Sequence, residues 1–167
     1  MAELTQKERL QPSLLDRLTD DAPDKEQESR ENRVLSLTKL RQCVLRDMAW
    51  LLNTGALATH QNLDDYPLVS HSVLNYGIPD LAGRNLSGAN VLEVEQQVRQ
   101  AIWDFEPRIL RDTVKVKVTA SADQMNHNAM TFDIEGDLWA QPLPLRLYLR
   151  TQLDLDTGNM DVIDKGG

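Results

Sequence analysis

The sequence predicts an α+β fold, with two long helices packed on one face of a small, mainly antiparallel sheet and a helical arm ahead of them. Three observations predict it. Apolar residues recur at three- and four-residue spacing in two separate windows, Pro107 closes the second window, and beyond it the apolar period drops to two. Helices first and a meander of strands afterwards put the helices together on one side of the sheet.

The first long helix is expected over residues 33–52, because Leu37, Leu40, Val44, Met48 and Leu51 share one stripe and leave Arg41 and Asp47 off it. Asn53, Thr54 and Gly55 supply its stop, the glycine being free to take the left-handed conformation that ends helices. A short helix is expected near residues 69–75, followed by a turn-rich run punctuated by Gly77, Pro79 and Gly83. The second long helix opens with Asn90 as N-cap and Glu93 as its capping partner, and carries Val91, Val94, Val98, Ala101, Ile102 and Phe105 on one face. It ends near Phe105, because Pro107 disfavours helical backbone at Glu106 and brings no N–H of its own. Clean alternation then predicts strands over residues 114–118, 130–135 and 145–150. The third can continue through Leu153 and Leu155 to the turn Asp156-Thr157-Gly158-Asn159, after which Met160-Asp161-Val162 begins a return strand.

Ahead of the helices, residues 12–18 predict a short helix with Ser13 as N-cap and Asp16 three residues on, a variant of the capping box. Residues 19–32 are polar, with six acids around Pro23, and read as a solvated linker. The chain therefore divides into an arm, residues 1–32, and one α+β domain, residues 33–167. Leu14, Leu15 and Leu18 have no core of their own to enter, so the arm is expected to bury them by docking on a partner.

Composition narrows the function. Of 167 residues, 41% are hydrophobic and 26% charged, enough apolar surface for a core that needs no staple. Cys43 is the only cysteine, which excludes a disulfide framework and a cysteine zinc site, and its place beside the apolar face suits a small buried hydrophobe. The first ten residues hold Glu3, Lys7, Glu8 and Arg9 and no apolar stretch, so no signal peptide is expected. Nowhere do apolar residues run for the roughly 20 positions of a membrane helix. A net charge of −8 repels phosphate backbones and points to protein partners. A cytoplasmic protein is expected.

Signatures of chemistry are sparse. His60, His71 and His127 are scattered through loop-like sequence without metal-ligand spacing, and the hydrolase elbow and the phosphate-cradling loop are both missing. Glu95 and Asp104, on one helix, would stand about 13.5 Å apart along the axis on opposite sides, whereas glycosidase carboxylates face each other at roughly 5–9.5 Å. They do not flank one bond. The most unusual polar feature is the corner Glu106-Pro107-Arg108, in which a rigid proline sets an acid and a base for each other, for nearby backbone, or for a partner. Residues 114–118 suit an edge strand, with Lys115 and Lys117 guarding it against random pairing. Proline at Lys117 should then block addition of a partner strand, provided that its N–H faces outward.

With these residues in view, the chain resembles the TssE family of type VI secretion, grouped with the baseplate wedge proteins of contractile-tailed phages. The resemblance rests on residues 12–18, on Leu51-Leu52-Asn53-Thr54, on Val73-Leu74-Asn75-Tyr76-Gly77-Ile78-Pro79-Asp80 and on Glu106-Pro107-Arg108. It extends to Phe132-Asp133-Ile134-Glu135-Gly136, Leu138-Trp139 and Pro142-x-Pro144. It implies a structural wedge subunit without cofactor or metal, beside TssF, TssG and TssK, on the cytoplasmic side of the inner membrane. It also implies that the TssB–TssC sheath starts to polymerise there by strand addition, and it carries the family's Glu-Pro-Arg signature onto Glu106, Pro107 and Arg108. Relatives have carried a lysozyme-like label, which makes a peptidoglycan-degrading enzyme the alternative. A regulatory anti-adaptor is a third class, disfavoured because a lone regulator has no obvious use for the arm.

Overall fold

The computed structural model describes residues 13–19, 23–24, 37–81, 88–119, 129–139, 145–154 and 158–165. Its helices are α1 (Leu14–Leu18), α2 (Leu37–Leu52), α3 (Pro67–Ser70) and α4 (Gly88–Phe105). Its strands are β1 (Lys115–Thr119), β2 (Ala129–Leu138), β3 (Leu145–Asp154) and β4 (Met160–Asp164), with 3₁₀ turns at Leu57–Thr59, Val73–Asn75 and Arg111–Thr113. The fold is α+β.

The stripe on α2 buries Leu40, Val44, Met48 and Leu51, while Leu37 lies in the first turn and stays exposed. The helix does not stop on a left-handed Gly55; positive φ occurs at Gly77 and Gly158. Instead the Asn53 side-chain amide donates to the carbonyl of Ala49 (2.8 Å) and the Thr54 hydroxyl to that of Trp50 (2.7 Å), satisfying acceptors that a helix end leaves open. Residues 33–36, expected in the same helix, lie outside the described residues. The short helix expected over residues 69–75 is two pieces, α3 and the turn Val73–Asn75, the second capped by the Ser72 hydroxyl. On α4 the stripe Val94, Val98, Ala101 and Ile102 is buried as its spacing dictates. The helix starts at Gly88, so Asn90 lies inside its first turn rather than capping it, and the Glu93 carboxylate accepts from Gln97. Phe105 is its last residue and meets the Tyr76 ring edge-on at 5.2 Å between centroids.

Beyond Pro107 the four strands form one meander in the order β1-β2-β3-β4, every neighbour antiparallel. Period-two alternation sends Val116, Val118, Phe132, Ile134, Leu147, Leu149 and Leu153 into the core. The other face is polar, and there Arg150 pairs with Asp133 (2.7 Å) and Arg146 with Glu135 (3.3 Å) across strands. Leu155 lies outside the described residues. The turn after β3 takes its left-handed residue at Gly158.

The helices cover one face, α4 against β1 and α2 against β4, and they touch each other. Full burial of a side chain such as Phe132 or Ile102 is worth roughly 1.5–3 kcal/mol, so this shared layer holds the helices on the sheet. The α2 side also holds the β4 edge at two points. The Asn53 side chain bonds both the N–H and the C=O of Met160, at 2.8 and 2.9 Å, and Arg41 grips Asp164 with two bonds of 2.5 and 2.6 Å. No helix among the described residues is long and apolar enough to cross a membrane.

Gly77 sits at a tight crossing. Its φ is 129°, and a Cβ there would lie 2.3 Å from the Thr54 carbonyl oxygen, the same oxygen that accepts the Ile78 N–H at 2.8 Å. The Gly55 Cβ position is open. Gly77→Ala should therefore lower the unfolding free energy by about 1–3 kcal/mol or more, with Gly55→Ala nearly neutral. Urea unfolding checks this, and equal midpoints for the two variants would contradict the crossing.

Candidate functional site

The site grows from the proline that ends α4. The Glu106 N–H still donates to the Ile102 carbonyl at 2.9 Å, but Pro107 then turns the chain, and Glu106 is left inside at 3% exposure. A buried carboxylate requires a partner, since an uncompensated charge in the interior costs several kcal/mol. Arg108 supplies it. The turn brings its guanidinium back so that Nε donates to Glu106 Oε1 at 2.7 Å and Nη2 to Oε2 at 2.5 Å, while the Arg108 backbone N–H adds a third bond at 3.1 Å.

The same Nη2 reaches Asp47 of α2 at 2.5 Å. Asp47 also pairs with Arg46 at 2.8 Å, and Arg46 pairs with Asp16 of α1 at 2.8 Å. Alternating charges thus run Glu106, Arg108, Asp47, Arg46, Asp16, from the end of α4 across α2 to the arm. Burial alone would depress the Arg108 pKa, but Glu106 and Asp47 outweigh it and raise it. Burial would likewise raise Asp16, yet hydrogen bonds from Ser13 and Arg46 hold its carboxyl below the usual value. Arg46 also lies over the Trp50 ring, 5.0 Å from its centroid. Beside the corner is a cavity of about 520 Å³ whose lining includes Leu15, Trp50, Tyr76, Phe105, Pro107 and Arg108.

The far flank of the corner is pinned to the sheet. The Arg108 carbonyl accepts from the Trp139 N–H at 2.7 Å, and the Asp137 carbonyl from the Leu110 N–H at 2.9 Å. Gly136 permits this approach, because a Cβ there would meet the Ile109 side chain at 2.7 Å.

The structure thus joins Glu106 and Arg108 to each other and to Asp47, and it turns Glu106 inward. What the corner offers to the outside is Pro107 and the outer flank of Arg108, 23% exposed. Lys115 and Lys117 are exposed on the sheet face away from the helices, and β1 is an edge strand. The Val118 N–H points away from β2 and donates to Glu95 Oε1 of α4 at 2.8 Å. Backbone direction alternates along a strand, so Val116 also points outward whereas Lys117, opposite Asp133, points into the ladder. A proline at Lys117 would break the sheet itself, and the outward position is Val116.

On the arm, Ser13 and Asp16 form the expected cap, with the Ser13 hydroxyl accepting from the Asp16 N–H at 3.3 Å and donating to its carboxylate at 2.6 Å. Leu14 and Leu18 are 70% and 74% exposed, and Leu15 lines the corner cavity. Cys43 is buried, as its position beside the apolar stripe implies. His60 and His71 are exposed and His127 lies outside the described residues. The described residues contain no group of three or more potential metal ligands. Glu95 and Asp104 have separate tasks, Glu95 on Val118 and Asp104 with His71, Gln100 and Arg111. The sequence reading missed Asp16, Arg46 and Asp47 as a linked set. The signal was available in the spacing of Cys43, Arg46, Asp47 and Trp50, a second stripe on α2 at offsets of three, four and seven.

A family model described as "Baseplate wedge protein gp25" matches residues 38–143. Among solved structures, the chain is similar to a "putative tail lysozyme" from Geobacter sulfurreducens, with 16% identity and a TM-score of 0.41 over 78% of this chain and 90% of that one. Comparison with curated proteins returns no match.

The corner geometry sets an order of effects. Arg108→Ala strands a buried Glu106 and should cost about 3–5 kcal/mol of stability. Pro107→Ala, whose side chain is exposed, should cost less than half of that. Chemical denaturation of both variants checks this, and an Arg108→Ala midpoint equal to the wild type would contradict the burial of Glu106 as a structural demand.

Proposed function

The chain belongs to the family of baseplate wedge protein gp25, and from that premise we propose that it is a TssE-like wedge subunit of type VI secretion that starts assembly of the contractile sheath. A baseplate structural role follows from the family; sheath nucleation is the finer reading. The observation that supports it is the β1 edge. Val116 directs its N–H and C=O outward among the described residues, Lys115 and Lys117 flank it, and β2 occupies only the other side. Such an edge accepts a matched strand by backbone pairing while its lysines repel unmatched ones and attract acidic neighbours. The incoming strand would come from the TssB–TssC sheath and would have to displace Glu95 to use the Val118 N–H.

The remaining surfaces suit anchoring in the wedge. Leu14 and Leu18 point outward from the arm, where TssF, TssG or TssK would cover them, and the division into arm and domain follows from that use. Pro107, the outer flank of Arg108 and the adjoining cavity make a second rigid contact. We assign no hydrolytic role: Glu95 and Asp104 hold backbone and neighbouring side chains together, and Glu106 is neutralised by Arg108. The site is read as cytoplasmic and cofactor-free on the same premise.

Val116→Pro removes the one outward donor that no described residue occupies, and an edge strand tolerates proline at such a position. Cells carrying this variant should lose fluorescent-sheath foci while the protein still pulls down TssF and TssG. Normal foci would exclude β1 as the nucleating edge; loss of the pulldown with an unchanged thermal transition would show that β1 is part of the wedge contact instead.

A further inference from the structure

Helix α1 is docked with its polar side inward. The Asp16 side chain is 4% exposed although it belongs to a helix of five residues, while Leu14 and Leu18 of the same helix face outward. A helix this short does not hold itself together, so its conformation depends on what it rests on. It rests on the second stripe of α2, where the Asp16 carboxylate lies beside the Cys43 thiol and pairs with Arg46. That stripe continues through Asp47 and Trp50, which line the corner cavity, and Ser13 and Leu15 line the same cavity from the arm. Leu14 and Leu18 add little to this docking, and Leu15 only lines the edge of the cavity. Among the described residues the Asp16–Arg46 pair, with Arg46 itself a third exposed, is the ion pair that holds it.

We propose that residues 13–18 are a latched strap: the Asp16–Arg46 pair holds α1 over Cys43 and against one side of the cavity at the Glu106-Pro107-Arg108 corner, and release of this latch uncovers both. The strap therefore controls access to the corner. Arg46 is placed to couple the two, since its other carboxylate partner, Asp47, is the residue that Arg108 grips. The buried Glu106–Arg108–Asp47 part of the network does not need the strap, so the corner keeps its shape when the strap leaves.

Cys43 is the sole cysteine of the chain and reports directly on the strap through its rate of labelling by a thiol reagent. Two variants separate exposure from electrostatics. Burial raises the pKa of the Cys43 thiol, Asp16 raises it further and Arg46 lowers it. By charge alone Asp16→Asn would therefore speed labelling, and Arg46→Ala would slow it, because the thiolate is the reactive form. If the latch holds the strap, both variants speed labelling of the full-length protein, by about tenfold or more, through local opening. Amide exchange across α4 and β3 should stay at the wild-type rate. Labelling of Arg46→Ala at or below the wild-type rate would overturn the proposal, because Cys43 would then be covered by something other than a latched arm. Loss of the cooperative thermal transition in both variants would overturn it too, by making α1 part of the core.

Discussion

The interaction on which the rest of the structure depends is the pairing of the buried Glu106 carboxylate with Arg108. At 3% exposure Glu106 has surrendered its hydration, and its charge is tolerable only because Arg108 meets both oxygens in a planar fork. Pro107 makes that fork possible by turning the chain between the two residues, just past the end of α4, and bringing the side chain of the second back onto the first. Once placed, Arg108 has a further N–H to satisfy, and Asp47 takes it. The end of one helix is thereby fixed to the middle of the other, while the Arg108 carbonyl fixes both to the end of β2 through Trp139. Three layers of contact meet within one turn of chain. A lysine could supply the charge but not the two-oxygen geometry, so the corner is specific for arginine.

With the helices fixed, the sheet is left with two edges that are guarded in different ways. At the β4 edge Asn53, just beyond α2, takes the Met160 backbone and Arg41 of α2 takes the Asp164 side chain. The β1 edge is guarded by one carboxylate from α4 on Val118 and by two lysines. A small antiparallel sheet with both edges open invites unselective pairing. Here the fold covers each edge in part, and on β1 the outward N–H that no described residue occupies is that of Val116. The lysines beside that open N–H are what make selective strand addition at β1 physically reasonable.

Much of the architecture could be read from the chain. The apolar stripes on α2 and α4 and the alternation in β1 to β3 follow from burial on one face, and Pro107 ends α4 for reasons intrinsic to its ring. The errors arise where the deciding partner is distant in sequence or where one local signal has several solutions. Gly55 was a reasonable helix stop, but Asn53 and Thr54 cap the open carbonyls first, and the strained glycine is Gly77, whose need is set by the Thr54 carbonyl across the crossing. Asn90 fits an N-cap pattern that the helix overruns from Gly88. The direction of the Lys117 N–H depends on register with β2, which alternation alone does not give. Of the site, the Glu106-Pro107-Arg108 corner was legible as a rigid charged turn, but its third member was not. Asp47 was visible only as a residue off the core stripe, 61 residues from Arg108.

The central claim is that the corner and α2 are coupled through Asp47 and Arg108 rather than merely adjacent. A double-mutant cycle with Asp47→Ala, Arg108→Ala and the double variant, read by chemical denaturation, measures this coupling directly. The account predicts a coupling energy of about 1–3 kcal/mol, as expected for residues sharing one charged network. Additive effects, within about 0.5 kcal/mol, would contradict it.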